Sequence, residues 1–171
     1  MIGCGAPPRA NTTFLGSVDL IAMTDAMAGS FAVHPTISAR HAGSPPWVIS
    51  MDRVTNHTNQ IIPEREKWLY VARLRAALGV SRLADERAIT WIMPPERWAL
   101  VQDELGPAPP QLRLTPTHVL AATFAALTNT SGRGRSDAYL CEYQLIDLAT
   151  GSVVWNDAWE VKRAQSGVTY D

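Results

Sequence analysis

The sequence predicts a single α+β domain with a mixed β-sheet, an antiparallel meander at its C-terminal side and about three packed helices. Apolar residues recur at helical spacing in the first half of the chain and alternate at strand spacing in the last third. The composition, 46% hydrophobic and 18% charged in 171 residues, is sufficient for one ordinary core. We expect residues 17–171 to form this domain and residues 1–16, rich in Gly and Pro, to form a flexible tether.

Three segments have the features of helices. Apolar spacing predicts a helix from residue 17 to residue 29 or 30. A second helix is predicted over residues 63–78, because Pro63 suits a first helical position and Gly79 suits a stop. A third is predicted over residues 96–106 by its apolar spacing after two prolines.

The first strands lie between these helices. Residues 31–46 contain three Pro and are expected to be an irregular connection. Two apolar runs, residues 47–54 and 88–93, are predicted to be strands. The run over residues 118–128 is ambiguous, since its Ala residues favour a helix while its Val, Thr and Phe residues permit a strand. We predict a strand, because a Gly and Arg loop at residues 129–136 and an alternating segment follow it.

The C-terminal segments alternate most clearly. Tyr139, Cys141, Tyr143 and Leu145 share one face of a predicted strand, which favours a buried, unreactive Cys141. Residues 153–161 alternate again after a turn in which Gly151 is available for positive φ. The last three strands are therefore predicted to form a meander.

Several function classes find no support. The 15 basic and 16 acidic residues give a net charge of -1, which argues against nucleic-acid binding. No apolar stretch approaches the ~20 residues that cross a bilayer. The four His and two Cys form no metal-binding motif, and no nucleophile motif is present. We expect no enzyme activity, no cofactor, no metal site and no small-molecule substrate.

A few residues are candidates for binding a protein partner. His57 and Asn59 follow the first strand, where loops carry binding residues; the alternative is a turn in which Asn and Thr side chains bond their own backbone. Arg133 and Arg135 lie at the predicted hairpin tip, as a solvated basic loop or as a grip on an acidic partner. Trp155 and Trp159 share a strand face that suits either the core or a partner surface.

Two motifs carry a resemblance to a known family. The segment VISMDRVTNHTNQ (residues 48–60) and the hairpin YQLIDLATGSVVWNDAWEVKR (residues 143–163) resemble the penicillin-binding protein activators of the LpoB type. Similar hairpins occur in curli-secretion and TolB amino-terminal domains. The resemblance implies a non-catalytic envelope protein that docks on a bifunctional penicillin-binding protein, a peptidoglycan synthase, and stimulates its transpeptidase. The alternative is a structural subunit of a periplasmic secretion or surface-assembly complex.

The amino terminus adds a second resemblance. Met1, Ile2, Gly3 and Cys4 are similar to the end of a bacterial lipobox, in which the Cys receives the lipid. A charged and then an apolar segment normally precede it, so we expect the natural chain to begin upstream; an incidental Cys4 thiol is the alternative. The resemblance implies lipid anchoring at Cys4 on the periplasmic side of the cell envelope, in the outer membrane.

Overall fold

The computed structural model of this protein describes residues 12–94, 114–131 and 134–166. Its helices are α1 (Ser17–Val33), α2 (Pro35–Ser38), α3 (Glu64–Ala77) and α4 (Val80–Arg87). Its strands are β1 (Trp47–His57), β2 (Ile89–Ile92), β3 (His118–Ser131), β4 (Gly134–Asp147) and β5 (Val153–Ser166). Cys4, Arg133 and the helix predicted over residues 96–106 lie outside the described residues.

The described strands form one mixed sheet in the order β2-β1-β3-β4-β5. β1 is parallel to both β2 and β3, whereas β3, β4 and β5 are consecutively antiparallel. The predicted α+β class and the C-terminal meander are therefore confirmed. Residues 118–128 are a strand, which resolves the ambiguity of that segment.

One face of the sheet carries the core. Tyr139, Cys141, Tyr143 and Leu145 are all buried on this face, as their alternation predicts. α1 and α3 pack on it through aromatic edges, because Phe31 meets Trp155 with ring centroids 5.2 Å apart and Tyr70 meets Phe124 at 4.9 Å. Apolar burial of this kind provides most of the driving force for folding.

The helices differ from the prediction in three places. α1 runs on to Val33 and ends before Pro35, because the residue before a proline avoids helical geometry. One helical turn, α2, lies in the segment expected to be irregular. Gly79 ends α3 with a φ of 60°, as predicted, but it is also the N-cap of α4, which was not predicted. The described part of the chain thus contains four helices.

The strands other than β2 are longer than predicted, whereas β2 is shorter than the predicted residues 88–93. β1 continues to His57 after a register shift between Met51 and Val54, so His57 is a strand residue and the prediction of a loop residue is wrong. The loop prediction is also wrong for residues 129–131 and 134–136, since β3 and β4 stay paired up to Ser131 and Gly134. The polar composition of this segment is typical of a loop, but the backbone N–H and C=O groups of the two strands form hydrogen bonds with each other.

The folded domain begins earlier than residue 17. Thr13 and Leu15 are buried, and the Leu15 backbone exchanges two hydrogen bonds with the Gln60 side chain, at 2.9 and 3.2 Å. Residues 12–16 therefore belong to the domain and not to the predicted tether, because contacts distant in sequence hold them. None of the helices in the described ranges has the length and apolar character needed to traverse a bilayer.

Candidate partner-binding surface

A buried carboxylate organises the end of the sheet where β3 turns into β4. Asp137 has no exposed surface. Its Oδ2 accepts a hydrogen bond from Thr13 Oγ1 at 2.5 Å and lies 3.0 Å from Arg135 Nε. Its Oδ1 accepts one from Thr128 Oγ1, also at 2.5 Å. A buried carboxylate with these partners is satisfied electrostatically and holds three segments of the chain together.

The charge of Asp137 is stabilised by this arrangement. Burial alone would raise the pKa of Asp137, but the hydrogen bonds from Thr128 and Thr13 and the positive charge of Arg135 outweigh it. The net result is a pKa below the ordinary value of 3.8. Asp137 is therefore ionised at neutral pH in spite of its burial.

Asn59 joins this group through Thr128. Its side-chain Nδ2 donates to Thr128 Oγ1 at 2.8 Å, while the same hydroxyl donates its proton to Asp137. The exposed amide of Asn59 is thereby fixed in orientation, and its oxygen accepts no hydrogen bond from the residues that the structure describes. We call Thr13, Asn59, Thr128, Arg135 and Asp137 the tip cluster.

The turn after β1 accounts for its Asn and Thr residues. Asn56 Nδ2 donates to the Gln60 carbonyl at 2.8 Å, and the Thr58 N–H donates to Asn56 Oδ1 at 3.0 Å. The Gln60 N–H donates to Thr58 Oγ1 at 3.1 Å. The alternative interpretation, a turn in which these side chains bond their own backbone, is thus confirmed for Asn56 and Thr58, while His57 and Asn59 remain exposed.

Arg135 is placed differently from its prediction. It lies in β4 with a side chain that is only 12% exposed, and its guanidinium carbon stands 5.2 Å from the centre of the Phe14 ring. The expectation of a solvated loop arginine is wrong at this position, because the ion pair with Asp137 and the Phe14 ring hold it. Arg135 pairs with Asp137, which accepts the hydrogen bond of Thr128, the residue that holds Asn59. Contacts of Arg135 and Arg133 with a partner remain predictions.

The tryptophans and the cysteine of the last two strands favour the core. Trp155 is 2% exposed, and Trp159 is partly buried and packs against the hydrophobic core. Cys141 is fully buried, and burial raises the pKa of its thiol to about 12. A thiol in this state is a small apolar group without nucleophilic reactivity at neutral pH.

Asp137 is not among the residues predicted from the sequence, although the sequence contains a signal for it. The alternation of Tyr139, Cys141 and Tyr143 extends backwards by one step to Asp137, which places a carboxylate in a buried register. A charge in such a register requires partners. The partner Thr13 lies 124 residues away, so no local pattern could identify it.

A second buried titratable group lies at the opposite end of β3. The His118 ring stacks against Trp47 with centroids 4.2 Å apart, and the Arg40 guanidinium lies 3.9 Å above the Trp47 ring. Thr117 Oγ1 is 2.8 Å from His118 Nδ1, whereas Asp147 is 3.9 Å from Nε2, beyond hydrogen-bond distance. We call Arg40, Trp47, His118 and Asp147 the base cluster.

The base cluster disfavours a charged imidazole. Burial lowers the pKa of His118 below its ordinary value of 6.5; Asp147 acts in the opposite direction, and the positive charge of Arg40 lowers it again. Within the described ranges, no three His, Cys, Asp or Glu side chains lie close enough to hold a metal ion. His118 is thus a neutral, stacked ring.

Comparison with known proteins defines the class of fold. No protein-family profile matches this sequence, and no curated protein sequence matches it. Solved structures do match, and they show that the chain has a mixed-sheet α+β fold. In particular, its fold is similar to the LpoB C-terminal domain from Escherichia coli, with a TM-score of 0.51 and 19% identity over 84% of this chain and 98% of that one.

Two further solved structures are similar over much of their length. The LpoB C-terminal domain from Salmonella enterica has a TM-score of 0.48 and 20% identity over 84% of this chain and 98% of that one. The lipoprotein GNA1162 from Neisseria meningitidis has a TM-score of 0.41 and 14% identity over 70% of this chain and 84% of that one.

Proposed function

We propose that this protein is a non-catalytic lipoprotein of the bacterial cell envelope that binds and stimulates a bifunctional penicillin-binding protein. The observation that carries the proposal is the fold similarity to the E. coli LpoB C-terminal domain, which extends over 98% of that chain. The two sequence motifs that resemble LpoB-type activators form β1 with its following turn and the β4-β5 hairpin. The fold similarity extends over 84% of this chain.

The surface proposed to bind the synthase surrounds the tip cluster. Asn59 presents a fixed amide whose oxygen is free to accept a hydrogen bond, and exposed His57 lies at the end of the neighbouring strand. Ile61, two residues after Asn59, is a large apolar side chain that is 91% exposed. An apolar contact beside oriented polar groups is the usual composition of a protein interface.

The network beneath this surface supports such a role. Thr128 receives the Asn59 amide and is itself fixed by Asp137, so the side chain of Asn59 is ordered before binding. Preorganised groups lose less conformational entropy when a partner docks. A surface of this kind needs no perturbed acid or base, which agrees with a regulator that carries out no chemistry.

The test is the cross-linking of peptidoglycan by the bifunctional penicillin-binding proteins of the source organism, with and without the purified protein. We expect a clear rise in cross-linking on addition of the protein. Asn59→Ala and His57→Ala are each expected to weaken the affinity for the synthase by about tenfold, as substitution of an interface anchor does. The stimulation at a fixed protein concentration should fall accordingly. His41→Ala is the matched control, because His41 is also exposed but precedes β1, whereas His57 lies at the other end of that strand.

The possible results have distinct meanings. Stimulation that survives both substitutions would retain the activator function but reject this surface. No stimulation and no binding by any of the synthases would reject the function and favour the alternative, a subunit of a secretion or surface-assembly complex. Light scattering of the purified protein would then be decisive, since such a subunit assembles into rings or larger oligomers.

Lipid attachment at Cys4 is a separate part of the proposal. It is supported by the lipobox-like residues Met1 to Cys4. We expect the protein expressed in its own host to carry a lipid on Cys4, by which it is held at the outer membrane. Mass spectrometry of the native protein, with Cys4→Ser as control, tests this directly, and an unmodified Cys4 would contradict it.

A further inference from the structure

The last strand lies at one edge of the described sheet. β5 pairs with β4 from Trp155 to Ser166 without a register shift, and no other described strand pairs with it. Proline and bulges, which commonly interrupt edge strands, are absent from residues 155–166. A long regular edge offers its N–H and C=O groups to another strand.

The direction of these free backbone groups can be deduced. The Ala158 N–H donates to the carboxylate of its neighbour Asp157 at 2.8 Å, instead of to β4. Because backbone groups of alternate residues point to opposite sides of a strand, those of residues 160 and 162 also point away from β4. They are the groups that a further strand would meet.

The side chains at the same positions are of opposite charge. Glu160 and Lys162 share one face of β5, where their neighbours across the ladder are Leu140 and Ala138. Neither charge has an ion-pair partner among the residues that the structure describes. Val161 lies between them and is partly buried.

We propose that β5 pairs with β5 of a second copy of this chain, antiparallel and centred on Val161, to form a two-fold symmetric dimer. In this register Glu160 of each copy lies opposite Lys162 of the other, and Ala158 lies opposite Ala164. Two cross-strand ion pairs form by symmetry, as an isologous interface requires.

Neighbouring registers are disfavoured by the same charges. Centring the pair on Glu160 places two glutamates opposite each other, and centring it on Lys162 places two lysines opposite each other. Like charges directly opposite are destabilising. The charge pattern of β5 therefore selects the Val161 register and makes the edge complementary to itself.

Cysteine cross-linking tests the register. In the full chain carrying Cys4→Ser, Val161→Cys is expected to form a disulfide-linked dimer on mild oxidation, because residue 161 faces itself across the two-fold axis. Ala158→Cys is the matched control and is expected to remain unlinked, since residue 158 faces residue 164. Buried Cys141 does not interfere. Equal cross-linking of both variants would overturn the register.

Charge exchange tests the complementarity. Sedimentation equilibrium of the full chain is expected to show a monomer-dimer equilibrium at high micromolar concentration. Glu160→Lys should weaken the dimer by about tenfold or more, because it replaces two attractions by two repulsions. The double variant Glu160→Lys with Lys162→Glu should restore it. A wild-type protein that is monomeric throughout, or a double variant that is not restored, would overturn the proposal.

Discussion

The two ends of the sheet each bury a titratable side chain, and the two sites differ in how that side chain is satisfied. In the tip cluster, Asp137 accepts hydrogen bonds from two hydroxyls and pairs with Arg135, so its charged form is favoured. In the base cluster, His118 has one polar neighbour at hydrogen-bond distance and is otherwise stacked on Trp47. Its neutral form is favoured instead.

The difference shows what each site does for the protein. The charge of Asp137 joins residues distant in sequence and positions Asn59 at the surface proposed to bind a partner. The ring of His118 fills space at the start of β3, where an aromatic of similar shape would do the same. We therefore expect the tip cluster to be sensitive to the loss of any partner and the base cluster to be sensitive mainly to acid.

The largest effect is expected from removing the carboxylate. Asp137→Ala leaves the Arg135 guanidinium buried without its counter-charge, and breaking a buried pair costs about 3–5 kcal/mol. We expect a loss of that size in the free energy of unfolding, measured by urea denaturation at pH 7. Asp85→Ala, an exposed aspartate of α4, is the control, with an expected change below about 0.5 kcal/mol. A loss under about 1 kcal/mol for Asp137→Ala would contradict the description of the cluster.

Removing one hydroxyl should have an intermediate effect. Thr13→Val keeps the shape of the side chain but removes the donor to Asp137, at an expected cost of about 1–3 kcal/mol. Because Thr13 precedes α1, the amides of residues 12–16 should exchange faster with deuterium, while those of β4 change less. Thr36→Val, an exposed threonine of α2, is the control. Unchanged exchange at residues 12–16 would show that Leu15 and Gln60 hold this segment without Thr13.

The tip cluster should also respond to strong acid. The pKa of Asp137 is lowered in the folded state, so its contribution to stability is complete above the ordinary value of 3.8 and is lost as the pH falls below it. Thr13→Val removes one of the hydrogen bonds that lower this pKa. The acid-induced loss of stability should begin at the same pH in both proteins, because the unfolded chain sets its onset, but in the variant it should be smaller and complete at a higher pH, as measured by thermal melts between pH 5 and pH 2. Coincident curves would contradict this.

The base cluster should respond to milder acid, with a smaller effect. The folded pKa of His118 lies below 6.5, so the unfolded chain binds a proton first as the pH falls, and stability decreases below pH 6.5. His118→Gln should flatten this decrease, whereas His41→Gln, an exposed control, should retain it. Thermal melts between pH 7.5 and pH 5 provide the measurement. If the stability of His118→Gln falls with pH as steeply as that of the wild type, another group causes the effect.

The sequence predicts the parts of this molecule that depend on local pattern. The alternation in β4, the helix stop at Gly79 and the positive φ of Gly151 were identified from the residues alone, and the same alternation places Asp137 in the core. The extent of the tether was mispredicted because Thr13 and Leu15 are held by Asp137 and Gln60, which no periodicity connects to them. α4 was missed because Gly79 ends one helix and begins another.

The smallest expected effect concerns the coupling between Arg40 and His118. The positive charge of Arg40 lowers the pKa of His118, and Arg40→Met removes that charge while keeping a long side chain over Trp47. The pKa of His118 should then move upward toward 6.5, and the loss of stability in mild acid should become shallower. An NMR titration of the His118 ring measures this, with Arg82→Met on α4 as the control. A downward or absent shift would mean that Arg40 acts by shielding the ring from water, and the charge of the base cluster would then have no part in keeping His118 neutral.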